Sequence, residues 1–256
     1  MQQPVDPRIQ EFIQKVRPLD LLVFQGGEFV SNIISFVEKE GDGTGSVTHV
    51  GVAINDSFCP LIKISPKLGL ASGRMCTWES TMSGPLNDGV YDAETDTSFF
   101  GVQIRDLEEV ITGYLQNPKA NIGLCRLKNN PCFPLPDESW SDYLSRSADL
   151  IQKIETAYKN YNGTRYNPNF LDLLASVFPK LRPFRNLEDE TLGKLFGMNK
   201  WLFCSEFVTV VYEAVGIISP SSSKEEPNYR DVTPVDFLPN VDDQMPSIVE
   251  APIWIK

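Results

Sequence analysis

An α+β fold is predicted by three features of the chain. β-rich runs cluster in the first half and helical periodicities in the second, the two do not alternate strictly as β-α-β, and no glycine-rich phosphate loop joins a strand to a helix. Gly26-Gly27 is too short for a dinucleotide or P-loop fingerprint, and no Lys-Ser/Thr pair follows at the required spacing, so nucleotide binding of that kind is excluded. The composition agrees with a packed core: 41% of the 256 residues are hydrophobic and 22% charged, which is ordinary globular usage.

The elements follow from local patterning. Phe29, Val30, Ile33, Ile34 and Val37 recur on one helical face, and residues 41–45 supply a flexible stop. Over 47–55 the period drops to two, with Thr48, Val50, Val52 and Ile54 on one face and Val47, His49, Gly51 and Ala53 on the other. The small residues beside His49 leave space for a neighbour such as a helix to approach that face. Residues 61–64, 75–80, 99–105 and 122–127 read as further strands of one sheet. Asp106 with Glu109 caps a helix carrying Val110, Ile111 and Leu115, and Ser139 opens a long amphipathic helix to Tyr161, which Gly163 ends. Shorter helices are expected at 169–178 and 187–195, and a stronger one from Cys204 to Val215 with Gly216 as its stop. The proline-rich tail is expected to wrap the body.

Charge and cysteine usage narrow the function classes. Lys and Arg number 23 against 34 Asp and Glu, a net charge of −11, which repels phosphate backbones and argues against direct nucleic-acid binding. The most apolar window, 203–218, is broken by Cys204, Ser205, Glu206, Thr209 and Glu213, well short of the roughly 20 apolar residues a membrane span requires. The opening residues carry no basic start followed by an apolar core, so no secretory signal is expected and the location is expected to be cytoplasmic. The five cysteines, Cys59, Cys76, Cys125, Cys132 and Cys204, are scattered without a C-x-x-C pair, unlike a disulfide framework or zinc finger, and fit a reducing compartment. Asn55 and Asn162 begin glycosylation sequons that read as local turns.

Three residues could carry chemistry together. Cys204 sits where the apolar segment Trp201-Leu202-Phe203 enters a helix, and the unpaired amides of a helix start favour a thiolate and can hold an oxyanion. Its bland alternative is a small buried core residue. His49 is the single histidine of the chain, so any mechanism that needs an imidazole must use it. Taken alone a strand histidine is usually structural, but with a helix-start cysteine it completes a nucleophile and base pair. Glu79, in Met75-Cys76-Thr77-Trp78-Glu79-Ser80, shares a face with Met75 and Thr77, where an unpaired carboxylate is costly, and is the choice for the group that orients the imidazole. A solvated edge-strand carboxylate is the alternative.

The local wording and the order of these residues resemble the circularly permuted papain-like amidases of the NlpC/p60 superfamily, the YiiX-like group of bacteria and large DNA viruses. Asp20-Leu21-Leu22-Val23-Phe24-Gln25-Gly26 resembles the family's opening strand, and Thr48-His49-Val50-Gly51-Val52-Ala53 its histidine strand. Trp78-Glu79-Ser80, followed by Ser83-Gly84 and Asp88-Gly89-Val90, is similar to its acidic segment. Phe203-Cys204-Ser205-Glu206-Phe207-Val208 resembles its nucleophile helix, and Thr233-Pro234-Val235-Asp236-Phe237 a short motif near its C-terminus. Histidine precedes cysteine, as in the permuted group.

The resemblance implies a single papain-like domain over 1–256, with an antiparallel sheet packed on a nucleophile-bearing helix; the stretch of about 109–199 departs from the family and is expected to be a helical insertion that reshapes or covers the groove. It implies Cys204 as nucleophile, His49 as general base and Glu79 as orienting acid in a cysteine hydrolase that cleaves an amide, ester or thioester through an acyl-enzyme. No cofactor and no metal are expected. The expected substrates are a peptide, a lipidated protein or an acyl lipid. A virion or protein-assembly component that keeps the fold without turnover is the alternative of a different class, and a metal-binding protein built from His49 and cysteines ranks below both. Gln25 and Tyr166 are candidates for a second oxyanion donor, with an ordinary loop residue as the alternative for each. Cys132 has no assigned role, and Lys180, Arg182 and Arg185 read as part of a mixed-charge surface.

Overall fold

The computed structural model describes residues 6–25, 47–66, 72–81, 90–97, 100–118, 120–166, 201–219, 232, 234–239 and 248–255. The expected helices at 29–37, 169–178 and 187–195 and the basic cluster at 180–185 lie outside them. The elements run α1 (Pro7–Ile13), β1 (Leu21–Gln25), β2 (Val47–Ile54), β3 (Cys76–Thr81), β4 (Gly101–Asp106), α2 (Leu107–Tyr114), β5 (Asn121–Cys125), α3 (Trp140–Tyr161), β6 (Arg165–Tyr166), β7 (Trp201–Leu202), α4 (Cys204–Val215), a 3-10 turn (Pro234–Phe237) and β8 (Ile253–Ile255). The chain is α+β. Among the described residues eight strands form one sheet in the order β7-β6-β4-β3-β2-β1-β5-β8, with every neighbouring pair antiparallel except the short parallel pair β6 and β7.

Alternation along the strands divides the core into two layers. Leu21, Val23, Val50, Val52, Ile54, Trp78, Val102 and Ile104 face α3 and α4, which answer with Leu150, Ile154, Phe207, Val208, Val211 and Tyr212. Leu22, Phe24, Ala53, Ile122 and Leu124 face α1 and α2, which supply Ile9, Phe12, Leu107, Val110 and Ile111. A sheet covered on both faces explains the buried pattern of β3 and β4, where every residue is enclosed. The pairing of β1 with β2 slips between Phe24 and Gln25, so Val47 joins the layer of Val50, Val52 and Ile54 rather than the face expected from strict alternation.

The caps are those the sequence names. Asp106 accepts from the amide of Glu109 at 3.0 Å to open α2, and Ser139 accepts from the amide of Asp142 at 3.2 Å to open α3. Gly216, at φ 79°, ends α4 in the left-handed region that glycine tolerates. Asn162 is the C-cap of α3, and its side chain donates to Glu94 at 2.9 Å, which gives that sequon a structural role.

Several expectations give way. Residues 61–64 form no strand, because their backbone donors go elsewhere: the Ile62 amide to the Cys59 carbonyl at 3.0 Å and the Lys63 amide to the Glu94 carboxylate at 2.9 Å. Within the stretch 109–199, β5 pairs with β1 on one side and β8 on the other, so this part belongs to the sheet rather than to an addition outside it. The tail does more than wrap the body, since its last residues pair with β5 as β8. α1 also escapes the sequence patterning; Asp6 caps it and Pro7 stands first, a position where a missing amide hydrogen costs nothing.

Two polar ties lock β1 against the rest. Asp20, fully buried, accepts from the amides of Arg17 and Leu127, each at 3.1 Å, and from the side chain of Asn130 at 3.1 Å. The Tyr212 hydroxyl donates to the Leu19 carbonyl at 2.9 Å, tying α4 to the start of β1. Phe237 of the 3-10 turn meets the Tyr212 ring edge-on at 6.3 Å, so the C-terminal motif braces the same helix. No helix among the described residues is long and apolar enough to cross a membrane.

Candidate active site

His49 and Glu79 stand on strands that pair directly. β2 and β3 place Val52 opposite Trp78 and Ala53 opposite Thr77, and that register carries Gly51 to Glu79. Gly51 is what permits the meeting. A Cβ there would lie 2.5 Å from Thr77 Oγ1, 3.1 Å from Glu79 Cβ and 3.4 Å from Glu79 Oε2. At Gly51 the small residue thus admits the neighbouring strand's side chains, while Ala53 on the same face packs in the layer of α1 and α2. Glu79 Oε2 then lies 2.6 Å from His49 Nε2.

The carboxylate is not on a solvated edge. Glu79 is fully buried on an inner strand, and its other oxygen, Oε1, accepts from Arg105 Nη1 at 2.8 Å. Burial alone would raise its carboxyl, but the charges of Arg105 and then His49 outweigh that penalty and hold it below its ordinary value.

On its other side His49 meets Cys204, the first residue of α4, which is a hydrogen-bond partner and charge neighbour of the ring. With Nε2 taken by Glu79, Nδ1 is the nitrogen left for the sulfur. Burial pushes the imidazole down, but charge on Cys204 and Glu79 and hydrogen bonds with both prevail, raising it from 6.5 to about 10. The ring is held from the flank by Phe24, whose centroid is 5.0 Å away and which in turn packs on Tyr114 at 5.0 Å.

α4 is anchored so that its first residue stays in place. Phe207 meets Trp78 edge-on at 5.0 Å, and the Glu206 carboxylate accepts from the Phe203 amide at 2.9 Å, one half of a capping box. All five cysteines are free and buried. Burial pushes the thiol of Cys59 up to about 11 and that of Cys125 to about 12, and raises those of Cys76 and Cys132 further still. Only Cys204 among them touches the imidazole.

The three residues expected from the sequence therefore meet, and Arg105, Gly51 and Glu206 join them. Arg105 shares a face with Gln103 on β4, a strand whose complete burial, where a guanidinium requires a carboxylate, emerges only in the fold. Gln25 ends β1, and Tyr166 lies in β6 with its side chain outside the described residues, so no second oxyanion donor is assigned to either. Among the described residues no group of three or more His, Cys, Asp or Glu could hold a metal ion. No protein-family model matches the chain, and no curated protein matches it significantly.

Proposed function

We propose that the protein is a cysteine hydrolase with a permuted papain-like core. The observation that carries this reading is the single imidazole lying between a buried carboxylate at 2.6 Å and the sulfur at the start of a helix. An imidazolium beside a helix-start sulfur favours its thiolate, the form that attacks. The sulfur adds to a carbonyl carbon, and the amides at the start of α4 receive the oxyanion. As the tetrahedral adduct collapses, His49 gives its proton to the departing nitrogen, oxygen or sulfur, leaving a thioester on Cys204. Water, losing a proton to the now neutral ring, attacks that thioester; its collapse releases the carboxylic acid and restores the pair. Glu79 accepts from Nε2–H throughout, fixing the tautomer and stabilising the positive ring.

The test is labelling by an electrophilic acyl probe, read by peptide mapping and paired with turnover of an acyl reporter. The wild-type protein should carry the adduct on Cys204, and Cys204→Ala should lose both adduct and turnover while unfolding at nearly the same temperature, since one sulfur atom is removed. An unmodified Cys204 in folded wild-type protein would favour a structural or binding role instead.

A further inference from the structure

We propose that Arg105 is a positioning residue of this site: its buried guanidinium takes one oxygen of Glu79 so that the other oxygen is left to hold His49. The proposal deepens the hydrolase reading and rests on it for its functional consequence, though its geometry stands independently. The division of labour is atomic. Oε1 accepts from Arg105 Nη1 at 2.8 Å and Oε2 faces His49 Nε2 at 2.6 Å, with the side chains of Glu79 and Arg105 each only 1% exposed.

A carboxylate in that enclosure needs a permanent counter-charge to stay ionised. The imidazole cannot supply one, because it must change protonation during a catalytic cycle. Arginine stays protonated under all conditions of interest, and its Nη1 bond fixes Oε1 of the carboxylate it holds. With Arg105 in place, the proton between Glu79 and His49 belongs to the ring, Nε2 is the donor, and Nδ1 is kept toward Cys204. Without it, the carboxyl would take the proton and the tautomer would no longer be enforced.

Among the described residues, the charged groups about the pair can be named. β2 contributes His49, β4 contributes Arg105, and α4 contributes Cys204 beyond the ring. From α2, packed on the same face of the sheet, Glu109 lies within electrostatic reach of Arg105, while Asp106 and Glu108 bond to Arg74. Thr77 and Gln103, which flank the pair in the strand register, are uncharged.

The single histidine makes the test direct. The ring nitrogens of His49 are followed by long-range proton–nitrogen NMR against pH in wild type, Arg105→Met and Arg105→Lys, alongside the pH profile of kcat/KM for an acyl reporter. Arg105→Met should move the His49 titration downward and draw the alkaline limb of kcat/KM toward neutral, with a loss on the order of 10²-fold. Arg105→Lys should restore part of each, because it returns the charge on a differently shaped donor. A folded Arg105→Met whose His49 titration and pH profile superimpose on wild type overturns the proposal. If Arg105→Met does not fold, the Lys variant decides on the same readouts, unaltered titration and profile counting against. A His49 titration that moves while wild type itself hydrolyses nothing would keep the positioning role and sink the hydrolase reading.

Discussion

Two buried carboxylates on adjacent strands, Glu79 on β3 and Asp106 at the end of β4, are answered in different ways. Asp106 takes the fork of Arg74 at 2.7 and 2.8 Å and the amide of Glu109 at 3.0 Å, so each partner holds a proton it does not exchange. Glu79 takes one arginine nitrogen and gives its second oxygen to an imidazole. The first arrangement closes a strand onto a helix. The second has the same ionic foundation but ends on a group whose charge can change, which is how a structural ion pair becomes part of a reactive site.

The sharpest way to break this contrast is to neutralise each carboxylate. Glu79→Gln should lower turnover by roughly 10²–10⁴-fold, the range in which an acid–base group contributes. It should also cost about 3–5 kcal/mol in urea unfolding, because the Arg105 charge stays buried without that carboxylate. The stability effect depends on pH in a fixed direction. Glu79 is held below its ordinary 4.5, so its contribution is present above that value and is lost as pH falls through the folded-state value. The gap between wild type and Glu79→Gln should therefore narrow in acid.

Gly51→Ala probes the same carboxylate without touching its charge. The added methyl falls within 2.5 Å of Thr77 Oγ1 and 3.1 Å of Glu79 Cβ, so the two strands must shift. A cost of about 1–3 kcal/mol is expected from overpacking. Turnover should fall by up to about 10²-fold as the carboxylate moves off the ring. Asp106→Asn should show the smallest effect on chemistry: it loses roughly 1–3 kcal/mol through the Arg74 pair while the amide oxygen still caps α2, with turnover unchanged within a few-fold. Equal losses of turnover in Glu79→Gln and Asp106→Asn would erase the distinction.

Much of this was legible in the residues, for identifiable reasons. The two-fold pattern around His49, the Asp106 and Ser139 caps and the Gly216 stop are local signals, and local signals suffice where backbone bonding stays within a few residues. Long-range pairing was harder. β8 comprises three residues whose strand character comes from β5, far off in sequence, and residues 61–64 look like a strand until their amides find a turn and the Glu94 side chain. At the site, scarcity pointed to His49 and the helix start to Cys204. Arg105 was overlooked because an arginine closing a strand reads as an exposed end until the neighbouring carboxylate is in place.

The most direct measurement is the pH dependence of iodoacetamide alkylation at each cysteine, resolved by peptide mapping. All five are buried, so exposure does not separate them, and for the other four burial raises the thiol. Cys204 should react first across roughly pH 5 to 8, and His49→Ala should abolish that advantage. Alkylation of Cys204 no faster than that of the other four across the same range would contradict an activated nucleophile.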